Sequence, residues 1–121
     1  MSTAADFMGL LFLARDVAYS VHLNTRSYSK HQALNIFYDR IIGAADDFAE
    51  TYQGRHGLIG PITLHSAKKT TNITEFLEAS LAEVEEMRYK VAKKEDSTLQ
   101  QLIDNIVEIY LRTLYKLKFL A

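Results

Sequence analysis

Apolar side chains recur at three- and four-residue intervals along four stretches of this chain, and that period belongs to amphipathic α-helices. The first stretch runs from about Ala4 to His22, on Phe7, Leu10, Leu11, Ala14, Val17, Ala18 and Val21. The second runs from Ser29 through Leu34, Phe37, Tyr38, Ile41, Ile42, Ala45 and Phe48 to a helix stop predicted at Gly54. The third, from Asn72 to about Lys93, follows Ile73, Leu77, Leu81, Val84, Met87 and Val91. The fourth starts at Ser97 and carries Leu99, Leu102, Ile103, Ile106, Ile109, Tyr110, Leu114 and Leu117 to the end. Three of the starts read as capping boxes: Ser29 with Gln32, Asn72 with Glu75, and Ser97 with Gln100. One proline and five glycines in 121 residues are too few for the turns of an all-β chain.

Helices of about 19, 25, 22 and 23 residues are matched in length as the members of a bundle are. Short connections join the first to the second and the third to the fourth. The connection from Gly54 to Thr71 is long, as a crossover between helices that are not antiparallel neighbours must be. The expected fold is all-α: one domain over residues 1–121, a ferritin-like four-helix bundle with a long crossover between helices two and three.

The dense apolar run Phe7–Ala14 lacks a basic flank and ends at Arg15 and Asp16, well short of the roughly 20 residues that span a bilayer. No membrane association is expected, and the absence of cysteine fits a reducing cytoplasm. A first helix apolar nearly all round is expected to need a second copy to cover it. With a net charge of −1, strong non-specific attraction to nucleic acid is not written into the average composition, while local basic patches stay open and keep nucleic-acid binding as a third, poorer option. Met1–Ala5 holds no charged side chain, so nucleic acid is not expected to be bound through a basic tail.

Four residues form the candidate chemical set. Asp46 and Glu50 are one helical turn apart and can grip one cation, while His22 and His31 flank the turn between the first two helices. Imidazole with carboxylate suits iron, zinc or manganese. His31 and Asp46, fifteen positions apart, are separated by roughly 22 Å along a straight helix. Metal–ligand bonds of about 2 Å cannot bridge that gap within one chain. Two copies with their second helices antiparallel would bring the histidines of one to the acids of the other, with a dyad near Tyr38 to Ile41.

His22-Leu23-Asn24-Thr25, then His31, Leu34 and Phe37, then Asp46-Asp47-Phe48-Ala49-Glu50, resembles the Dps family of mini-ferritins. The resemblance implies a ferroxidase centre split across a twofold. His22, His31, Asp46 and Glu50 would be its catalytic residues, with Asn35 added to the metal ligands. It implies iron as the metal, with zinc or manganese as substitutes, and a closed homo-oligomeric shell, with twelve subunits as one option. Ferrous iron would be oxidised there and stored or detoxified. The chain departs from the family at Leu23, where an aromatic is usual, and at Asn35, where an acid is usual. The whole sequence is also similar to uncharacterised proteins of large tailed phages, which implies a host bacterial cytoplasm.

Each of these residues also has an ordinary role. His22 can interact with the last carbonyls of its helix, and Asp46 with Glu50 can be a solvated face. His56 and His65 read as exposed loop residues. Lys68 with Lys69, and Lys90, Lys93 and Lys94, read as solvated helix ends, and Glu83, Glu85 and Glu86 as an exposed face on which Glu86 pairs with Lys90. The alternative function is a non-catalytic ferritin-like oligomer serving a structural or partner-binding purpose.

Overall fold

A computed structural model of the chain describes residues 3–67 and 72–121. Four helices follow one another: α1 (Thr3–Asn24), α2 (Tyr28–His56), α3 (Ile73–Val91) and α4 (Ser97–Phe119), with no strand among the described residues. α1 packs on α2 and α3, and α4 packs on the same two, so α1–α4 and α2–α3 are the diagonals of a four-helix bundle. The ion pair from Arg55, near the end of α2, to Asp96, just before α4, is 2.9 Å long. α2 and α3 therefore finish at the same end of the bundle, and the connection between them has to travel its length.

The helix ends correct three expectations. The N-cap of α2 is Ser27, not Ser29: its hydroxyl accepts from the Lys30 N–H at 3.2 Å, and the Gln32 amide donates instead to the Tyr28 hydroxyl. α2 passes through Gly54 and stops at Gly57, whose φ of 89° is the left-handed geometry that a residue without Cβ adopts freely. α4 is capped by Asp96 rather than Ser97, the carboxylate accepting from Leu99 N–H. Gln100 consequently does not reach back along its own helix. Its amide donates to the carbonyls of Arg88, Ala92 and Lys93, satisfying the open end of α3. Asn72 caps α3 through Glu75 N–H as the sequence indicates.

Phe7 meets Phe48 edge-on, with ring centroids 5.1 Å apart, and Phe37 meets Tyr110 in the same way. The Tyr110 hydroxyl and the Ser80 hydroxyl share a 2.7 Å hydrogen bond in this core, and burial pushes the phenol pKa up. The expectation that α1 needs a second copy to cover it fails. Phe7, Met8, Gly9, Leu10 and Leu11 are consecutive and all buried within one chain. The crossover lies across α1 as a strap. A Cβ built on Gly9 would overlap the carbonyl oxygen of Thr63, and the Thr63 hydroxyl donates to Asp6 at 3.3 Å. The apolar circumference of α1 is thus shared among α2, α3 and the strap.

Candidate functional site

The turn at residues 25–27 is too short to separate the end of α1 from the start of α2, so His22 and His31 stack there with ring centroids 3.8 Å apart. Each ring is fixed by the other's backbone. His22 Nδ1 lies 2.9 Å from the carbonyl oxygen of His31, and His31 Nδ1 lies 2.8 Å from that of His22. A carbonyl only accepts, so both Nδ1 atoms carry the proton, and in the neutral rings each Nε2 keeps a lone pair. The carbonyl of His22 is one of the four that α1 leaves open at its end, and the ring that serves it is His31. That reverses the ordinary role expected of His22 at its own helix end.

The stack extends along the surface, with Tyr19 5.7 Å from His22 and 4.5 Å from Tyr38. On α2, His31, Asn35, Tyr38, Ile42 and Asp46 follow at three- and four-residue steps and form one stripe. Its far half borders an apolar cavity of about 460 Å³ lined by Met8, Phe12, Ile42, Gly43, Ile59 and Ile62. Asp46 is exposed at its edge, and Glu50 is exposed one turn further on. The Asp46 carboxyl is hydrogen-bonded to that of Glu50, and this, then the charge of Asp46, slight desolvation and the charge of Asp47, raises the Glu50 pKa.

The sequence set therefore resolves into two pairs. α2 runs unbroken from Tyr28 to His56, which keeps His22 and His31 apart from Asp46 and Glu50, with Asn35 one turn beyond His31. Among the described residues no three histidine, aspartate or glutamate side chains converge on one point. Gly43 is a feature that sequence reading passed over. It is exposed in mid-helix, and a Cβ added there would meet nothing within 4 Å. Glycine costs roughly 1 kcal/mol relative to alanine at such a position, and nothing in this chain requires it.

The remaining expectations divide. Lys90 pairs with Glu86 at 3.6 Å, as their spacing predicts, and Lys94 lies 5.9 Å over the Tyr89 ring. His56 is exposed but ends α2 rather than sitting in a loop, its ring 4.7 Å from Tyr52, while His65 is exposed in the strap. Lys68 and Lys69 lie outside the described residues. Sequence reading missed the approach of Arg40 on α2 to Arg112 and Lys116 on α4 around one cavity. No local signal announces it, because the three stand in two distant segments. No helix among the described residues is long and apolar enough to cross a membrane.

The model of a family of unknown function, DUF5856, matches residues 22–117. An uncharacterised 14.6 kDa protein encoded in the mobD–ri intergenic region of Enterobacteria phage T4 is 26% identical over 117 residues, covering 96% of this chain and 88% of that protein. No solved structure matches. These findings overturn the resemblance to the Dps mini-ferritins: the family that matches across His22, His31, Asn35, Asp46 and Glu50 is a different one, and no ferritin-like or Dps match accompanies it. The physical reason is that the shared spacing is undemanding. Two histidines flanking a tight turn clasp the hairpin, and acids one turn apart suit any solvated helix face. The likeness to tailed-phage proteins has its counterpart in the T4 relative.

Proposed function

We propose that this chain, which belongs to DUF5856, a family of unknown function, is a ferritin-like homo-oligomer that binds ferrous iron between subunits and oxidises it. The observation that carries the reading is the reciprocal fixing of the two imidazoles. With both Nδ1 protons committed to carbonyls, both Nε2 lone pairs are left as nitrogen ligands in a set tautomer. The carboxylates of Asp46 and Glu50 supply the complementary pair, and imidazole with carboxylate suits iron, zinc or manganese.

An antiparallel second copy completes the set. On the α2 stripe His31 stands in the first half and Asp46, with Glu50 one turn on, in the second, so antiparallel contact places the imidazole of each copy opposite the carboxylates of the other. Gly43 permits close approach of a second helix near the middle of that contact. Each ferrous ion gives up one electron, so two ions match the two that one peroxide molecule accepts in forming two hydroxide ions. The protein supplies ligation and an open coordination position.

The test is subunit complementation. Ferrous oxidation is followed by absorbance for the native chain, His31→Ala, Asp46→Ala, and an equimolar mixture of the two variants unfolded and refolded together. Each variant alone is expected to fall to the protein-free rate. Random pairing makes half the dimers mixed, each with one intact site of two, so the mixture recovers about a quarter of the native rate. A native rate no faster than buffer ends the reading, and a mixture that stays inactive removes the intersubunit site.

A specific observation favours a second reading, that of a non-catalytic structural or partner-binding oligomer. The histidine pair already has a complete role, each ring binding a carbonyl of the opposite helix. Under that reading His31→Ala destabilises the hairpin, and ferrous oxidation by the native protein matches the buffer control.

A further inference from the structure

On the face where α2 meets α4, Arg40, Arg112 and Lys116 rim a cavity of about 50 Å³ that Ile36, Ile109 and Thr113 also line. Thr113 is 2% exposed and forms part of the cavity wall. Three cations from two helices thus meet around one small cavity on this face. Lys116 is shared with a neighbouring cavity of about 170 Å³, where Ser27, Ser29 and Lys30 join it alongside Leu117, Leu120 and Ala121. The two cavities follow one groove, and Lys30 to Arg40 spans about 15 Å of helix.

The charge in this groove is largely uncompensated. Arg112 pairs with Glu108 at 3.3 Å, whereas Lys30, Arg40 and Lys116 make no ion pair among the described residues. The net charge of −1 conceals this, because acids such as Glu78, Glu83, Glu85 and Glu86 are gathered on α3.

We infer that the α2–α4 groove, through Lys30, Arg40, Arg112 and Lys116, binds the phosphate backbone of a nucleic-acid strand. Arginine and lysine with serine and threonine hydroxyls are the donors that phosphate oxygens take, and the planar guanidinium fork fits them in particular. Anion positions repeated over this length match a polymer with one charge per unit better than one small phosphate. The reading does not depend on the iron site, which uses the opposite side of α2 against α1.

The test is fluorescence anisotropy of a dye-labelled oligothymidylate with the full chain over a series of salt concentrations. Four phosphate contacts on a single strand give a slope of log K against log salt of about −2.8. R40Q with K116Q, both remote from the buried core, is expected to bring the slope to about −1.4 with the thermal midpoint unchanged. The inference is overturned if the native chain does not bind at low salt or if R40Q with K116Q leaves the slope unchanged. It is equally overturned if polyglutamate displaces the probe as well as unlabelled oligothymidylate does, since the groove would then recognise acidic polypeptide.

Discussion

Replacing Gly9 with alanine asks whether the strap really depends on the missing side chain. In an ordinary helix interior the change stabilises by about 0.8–1.0 kcal/mol, and Gly43→Ala, with nothing within 4 Å of the new methyl, is expected to gain that amount within the single chain. At Gly9 the methyl would overlap the Thr63 carbonyl and lie 3.1 Å from the His65 ring. The ring can move, but the carbonyl is backbone, tied down by the Thr63–Asp6 hydrogen bond and by Ile59 and Ile62 packed on the core. Overpacking of this kind costs about 1–3 kcal/mol, so Gly9→Ala should lose about 1 kcal/mol net. The two alanine variants should then differ by about 2 kcal/mol, or about 8 °C in thermal midpoint for a domain of this size. Circular dichroism melts at low protein concentration measure the difference, and limited proteolysis reports whether the strap has lifted. A Gly9→Ala protein as stable as Gly43→Ala, with the strap still protected, would refute the close approach.

His31→Ala removes the donor to the His22 carbonyl and the ring stack together, a loss of about 2 kcal/mol. A double-mutant cycle with His22→Ala should return a coupling of about 1 kcal/mol, and melts of the two variants showing independent effects would contradict the clasp. Glu50→Gln tests the acidic pair through pH. A raised carboxyl pKa means that the folded chain holds this proton more firmly than the unfolded one, so stability is lost as pH rises through the Glu50 titration. The variant should therefore melt above the native protein at neutral pH and coincide with it below about pH 4. A gap that persists in acid would point to some other cause.

The histidine pair and the acidic pair were legible because each is local. A three-residue turn brings His22 to His31, and one helical turn brings Asp46 to Glu50. Their union across a second copy was only arithmetic, since helix length states what one chain cannot do and nothing about which partner comes. The N-caps were missed by one or two positions for a different reason. Ser27 and Ser29, or Asp96 and Ser97, offer equivalent oxygens, and the direction in which the chain enters the bundle selects between them.

By itself the sequence determined four helices, their approximate limits and their buried stripes, because backbone hydrogen bonding repeats within four residues and apolar side chains must follow that period. Tertiary structure decided what covers α1 and which cations meet. The strap reaches Asp6 from Thr63, a separation of 57 residues, and turns a helix that looked unfinished into one wrapped by its own chain. Arg40 meets Arg112 and Lys116 because α2 packs on α4. Such contacts depend on which faces pair across the bundle, and a local period carries no information about that pairing.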